Sequence, residues 1–130
     1  MFPAQPPPFD QLLEQVLSEL PPRLRALLEE VPLVVEDHPS PSVLRHTGLG
    51  PEELCGLYTG IPLTDRSVLH SGVMPDVITI YRRGLLAAST DRRGRCTPGR
   101  LLRQIRKTVL HEIGHHFGLD EDDLRGYGYG

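Results

Sequence analysis

Near the end of the chain, from Val109 to Leu124, the stretch VLHEIGHHFGLDEDDL gathers three histidines and five carboxylates within sixteen residues. Imidazole nitrogens and carboxylate oxygens are donors of protein zinc sites, so what matters is which of them face one point. On a helix advancing 100° per residue with His111 as origin, His115 falls at about 40°, whereas Leu102, Ile105, Val109 and Ile113 fall between about 120° and 200°. Those four form a buried stripe. Gln104, Lys107 and Thr108 share the sector of the two histidines, so that face should look away from the core. His116, at about 140°, lies on the stripe and reads as a core histidine, or one behind the ligands, rather than a ligand.

An i, i+4 histidine pair on one accessible helix face can give two nitrogens to a single zinc ion. Glu112, about 60° from His115, flanks that ion without having to bind it. This is general-base geometry: zinc lowers the pKa of a water to about 7, and the carboxylate takes its proton as the water attacks a carbonyl. H-E-x-x-H therefore encodes a mechanism as spacing. The bland alternative is a solvated histidine pair, against which stand the amphipathic helix around it and Gly118 beyond it. A catalytic zinc site needs a third protein ligand. Gly118 can adopt positive φ and turn the chain back, and the extended pattern H-E-x-x-H-x-x-G-x-x-[H/D/E] ends on Glu121. A one-residue change in that turn would substitute Asp120 or Asp122. His70 is a candidate from elsewhere in the chain.

The elements that must position these residues are legible in part. Thr97 as N-cap and Pro98 at the first helical position start a helix that Gly118 ends, giving a metal-binding helix over 97–118. At the other end, a Pro-rich lead over 1–8 is expected to be flexible. Asp10 can cap a helix with Leu12, Leu13, Val16, Leu17 and Leu20 on one side, and RLRALLEEV reads as a second. PLVVED reads as a short buried strand and LCGLYTGIPL as extended chain. From His38 to Glu53 no period is visible, so an irregular connection is expected. In DVITIYRRG, Val77, Thr79 and Tyr81 alternate with Ile78 and Ile80, which is strand periodicity.

At 130 residues the chain has enough apolar content for one core, so residues 1–130 are expected to form one domain. A net charge of −3 with mixed signs supplies no global attraction to nucleic acid or an anionic membrane. No apolar run approaches the roughly 18 residues of a membrane span, and MFPAQPPPFDQ lacks a signal peptide's basic start and apolar core, which points to the cytoplasm. Cys55 and Cys96 lack C-x-x-C spacing and are expected to be free thiols. The absence of Asn fits a heat-stable protein, and biased base composition would account for it equally.

Through LCGLYTGIPLTDRS, MPDVITIYRRG and VLHEIGHHFGLDEDDL, the chain resembles the small bacterial zinc-dependent proteases of zincin-like, or minimal-metalloprotease-like, type. The resemblance implies a compact α+β fold in which a short mixed sheet packs on the metal-binding helix. It also implies zinc, His111 and His115 as ligands, Glu112 as base, and a peptide or protein substrate. In zincins an edge strand binds extended peptide backbone, a role expected here of ITIYRR. Nine residues follow Glu121 in this sequence, so neither a later helix bearing a glutamate ligand nor a downstream methionine turn is expected. For the oxyanion, Tyr58, His70, His116, Tyr127 and Tyr129 are all candidates.

The leading functional reading is zinc-dependent hydrolysis of a peptide or amide bond. A noncatalytic metal-binding or interaction module on the same scaffold is its rival. DRRGRCTPGRLLRQIRK, a local basic run entering the metal helix, supports a weaker third reading as a zinc-assisted nuclease.

Overall fold

A computed structural model of the chain describes residues 8–59, 76–118 and 122. The element order is α1 (Phe9–Glu19), α2 (Pro22–Leu28), β1 (Leu33–Glu36), α3 (Pro41–Thr47), β2 (Gly56–Thr59), β3 (Val77–Tyr81), α4 (Arg82–Ser89) and α5 (Pro98–Phe117). The three strands form one mixed sheet in the order β1-β3-β2, with β1 parallel and β2 antiparallel to β3. This is a compact α+β arrangement with a short mixed sheet.

Because β3 is paired on both sides, its backbone groups are committed to the ladder. Residues paired across strands share a face, so Gly56 and Tyr58 project on the same side as Ile80 and Ile78. On that side α5 crosses the sheet over β2 and β3, and α1 and α4 pack along α5. Ile78, Ile80, Leu101, Ile105, Val109, Leu110 and Ile113 are fully excluded from solvent there, joined by Phe9, Leu12, Leu13 and Val16 of α1. Burial of apolar side chains at about 1.5–3 kcal/mol each holds α5 to the sheet.

Several expectations need correction. ITIYRR cannot be the edge strand: Ile78–Tyr81 belong to central β3, and Arg82 and Arg83 open α4. PLVVED contains β1, but at an edge with alternating exposure rather than buried throughout, and Val34 is 39 % exposed. The supposedly irregular connection holds α3, where the Ser40 hydroxyl accepts from the Val43 N–H at 3.3 Å, Pro41 takes the first position and Gly48 closes the helix at φ 73°. α1 begins at Phe9 without a side-chain cap. Asp10 instead sits in its first turn and pairs with Arg82 at 3.2 Å, and the same guanidinium holds Asp37 at 2.8 Å. Cys55 and Cys96 are free, half-buried thiols.

The short helix α4 has a glycine where its first turn meets the chain entering β2. A Cβ on Gly84 would collide with the carbonyl of Leu54, and the Tyr81 N–H already donates to the Cys55 carbonyl at 2.9 Å. Helix propensity alone would make Gly84→Ala stabilising by roughly 0.5–1 kcal/mol. Overlap with a backbone oxygen costs about 1–3 kcal/mol or more. The second effect wins, so Gly84→Ala should lower the midpoint of urea unfolding with the slope unchanged; an unchanged or higher midpoint would contradict this close packing.

Candidate metal centre

α5 is delimited by strong local chemistry at both ends. The Thr97 hydroxyl accepts from the Arg100 N–H at 3.2 Å, and Gly118 ends the helix at φ 68° with its N–H on the Gly114 carbonyl. Within it His111 and His115 are exposed, with ring centroids 4.4 Å apart and planes inclined by 56°. Between them Glu112 is only 5 % exposed. Its Oε1 lies 3.7 Å from His115 Nδ1, and donor atoms of His111, Glu112 and His115 all lie within 4.8 Å of one another.

Glu112 turns inward because β2 passes beside it. A Cβ on Gly56 would stand 2.8 Å from the Thr108 methyl and 3.2 Å from Glu112 Cγ, so glycine is what lets the helix lie this close to the strand. This also buries Thr108, which its helical sector had put on the accessible face. At the next position on that face, the Tyr58 N–H donates to the Glu112 carboxylate. Burial pushes the Glu112 carboxyl above its ordinary range, opposed by His115, His111 and the Tyr58 amide, which favour the charged form. A carboxyl so placed is a stronger base than a solvated glutamate and is tethered by a strand amide.

Behind this face lies a second polar group. His116 is 2 % exposed, its ring meeting Tyr58 edge-on at 5.2 Å and Phe117 at 4.2 Å, with Nδ1 3.6 Å from Asp76 Oδ2. The Tyr58 hydroxyl donates to Asp76 Oδ1 at 3.2 Å. Two oxyanion candidates, Tyr58 and His116, are thus engaged with Asp76 beneath the helix. His70, Tyr127 and Tyr129 lie outside the described residues, as do Glu121 and Asp120; Asp122 is exposed. Sequence reasoning missed Asp76 and the Tyr58 amide. No local signal marks Asp76, whereas Gly56 within an apolar strand was a readable sign of close approach.

Two imidazoles on the surface beside a buried carboxylate make a donor set that suits zinc: neutral nitrogen ligands with an oxygen base at hand. The family model of zincin-like metallopeptidases matches residues 28–129. The chain belongs to this family. No curated protein matches it. The match begins at Leu28, the last residue of α2, so in this zincin-like metallopeptidase α1 and nearly all of α2 lie outside the shared region. Membership of the family implies zinc and a protein or peptide substrate. Among the described residues no helix is long and apolar enough to cross a membrane.

Proposed function

We propose that the chain is a zinc-dependent peptidase in which His111 and His115 hold the metal, Glu121 completes the ligand set, and Glu112 is the general base. The observation that carries this reading is a buried carboxylate, tethered by the Tyr58 amide, beside two exposed imidazoles one helical turn apart. Zinc, when bound, supplies Lewis acidity toward a water molecule and the substrate carbonyl. Glu112 takes the proton that the attacking water loses onto a carboxylate oxygen and passes it to the departing amine nitrogen. The Tyr58 N–H keeps the carboxylate in place through both transfers. β2, at the sheet edge among the described residues and next to α5, takes the peptide-binding role once expected of ITIYRR.

The test uses full-length protein purified without chelator or histidine tag. It should carry about one zinc per chain and cleave members of a quenched-fluorescent peptide library; chelation should abolish cleavage, and added zinc should restore it. Stoichiometric zinc without cleavage at several pH values would instead favour the noncatalytic metal-binding module. In the same preparations Glu121→Ala should weaken zinc binding far more than Asp120→Ala or Asp122→Ala, because only the first removes a donor. Equal effects of all three would remove Glu121 from the ligand set.

A further inference from the structure

The exposed face of α5 carries more than the two histidines. Setting His111 at zero, Arg100, Arg103 and Lys107 fall at about −20°, −80° and −40°, so they continue the line of His111 and His115 toward the helix start. Arg100, Arg103, Lys107, His111 and His115 are all exposed. The helix contains one acidic residue, Glu112, and it is buried. On a chain whose net charge is −3, this ridge therefore presents three cations, Arg100, Arg103 and Lys107, and no exposed carboxylate of α5.

The fold draws little from these charges. Arg100 and Arg103 stand in the first two turns, where the helix dipole favours anions. Arg100 is partly accounted for, since its Nε donates to the Ser89 carbonyl at 2.9 Å. Among the described residues no ion pair is made by Arg103 or Lys107. Two cations with no ion-pair partner among the described residues lie in line with the proposed catalytic face.

Their position relative to β2 follows from where that strand meets α5. Gly56, at the start of β2, lies against Thr108 and Glu112, while Tyr58 two residues further along the strand meets His116 at 5.2 Å. Strand and helix thus advance in the same direction, and a peptide laid beside β2 would pass His111 and then Lys107 and Arg103. At 1.5 Å per helical residue, Lys107 is about 6 Å and Arg103 about 12 Å along the axis from His111. Extended chain rises about 3.3 Å per residue, so the two cations stand opposite roughly the second and fourth residues from the bond held at the metal centre.

From this placement we infer that the enzyme selects peptides bearing Asp or Glu side chains two to four residues from the scissile bond, on the side toward the start of α5, with Lys107 and Arg103 as the specificity-determining residues. This inference rests on the peptidase reading and names its substrate class. Cations spread over more than one helical turn match a run of side-chain carboxylates better than one terminal carboxylate.

The experiment measures binding, so that it does not depend on turnover. Fluorescence anisotropy would compare a C-terminally amidated peptide carrying Asp and Glu with its Asn and Gln twin, on full-length zinc-loaded protein in a Glu112→Gln background. The acidic peptide should bind about tenfold more tightly at low salt, with the difference shrinking as ionic strength rises. Arg103→Gln with Lys107→Gln should erase the difference at unchanged zinc content, whereas Arg103→Lys with Lys107→Arg should retain it. Equal binding of the twins, a preference surviving the glutamine pair, or one that appears only with a free C-terminal carboxylate would overturn the inference. So would tighter binding of single-stranded RNA at the same salt, since the ridge would then serve a nucleic acid. A wild-type protein that cleaves both twins equally well keeps the peptidase reading and loses this one. A protein that binds the acidic peptide through the ridge but cleaves nothing keeps the ridge and loses the peptidase.

Discussion

Glu112→Gln should leave zinc binding intact and lower peptide hydrolysis by about two to four orders of magnitude, the usual contribution of a positioned general base. The amide keeps the shape of the side chain, and its oxygen can still accept from the Tyr58 N–H. What it loses is the ability to take a proton. The variant also separates catalysis from folding. Burial raises the folded pKa of Glu112 above its unfolded value, so the folded state binds more protons there, and the ionised carboxylate costs stability as pH rises through and above the unfolded value. A neutral glutamine removes that cost, so metal-free Glu112→Gln should be at least as stable as the wild type near neutral pH. Turnover by the zinc-loaded variant within tenfold of wild type would eliminate Glu112 as the base.

His111→Ala and His115→Ala should each reduce zinc affinity by well over a hundredfold, because even groups that merely orient metal ligands are worth about 10- to 100-fold. Both side chains are exposed on α5, so their removal leaves the core intact and the unfolding midpoint of metal-free protein nearly unchanged. His116→Ala should do the reverse. Its ring fills a buried space between Tyr58 and Phe117 and faces Asp76, so truncation leaves a cavity and takes away a polar neighbour of a partly buried carboxylate. A stability loss of about 2–4 kcal/mol is expected, with zinc affinity far less affected when titrated at a temperature where the variant is folded. Calorimetric zinc titration and thermal unfolding of the three metal-free variants give both quantities. Equal loss of zinc in all three would mean that His116 shares the metal.

Those two experiments probe the part of the protein that was most legible in its sequence. The placing of His111 and His115 on one accessible face, with His116 on the buried one, follows from the 3.6-residue period and the stripe of Ile105, Val109 and Ile113. Thr97, Pro98 and Gly118 mark the helix ends by equally local chemistry, a hydroxyl acceptor, a fixed φ and a left-handed turn. Short elements were harder to read. α3 buries no residue and so leaves no apolar period, although Ser40, Pro41 and Gly48 spell out its ends. α4 contains Gly84, a poor helix former retained where Leu54 passes too close for any side chain.

What the sequence by itself determined, then, was the inventory of the site: two imidazoles and a carboxylate at the spacing of one helical turn, on a helix with defined ends. Only the tertiary structure decided how that carboxylate is held. The alternation of residues 77–81 reads the same for an edge strand and a central one, and the pairing of β3 with both β1 and β2 makes it central. That pairing leaves β2 beside α5, where Gly56 admits the helix, the Tyr58 amide meets Glu112, and Asp76 meets His116. Helix phase and capping arise from neighbours within a turn or two, so local sequence encodes them. Strand order, the burial of Glu112 and the partners of His116 arise from contacts between segments far apart in the chain, whose free energy no local period records.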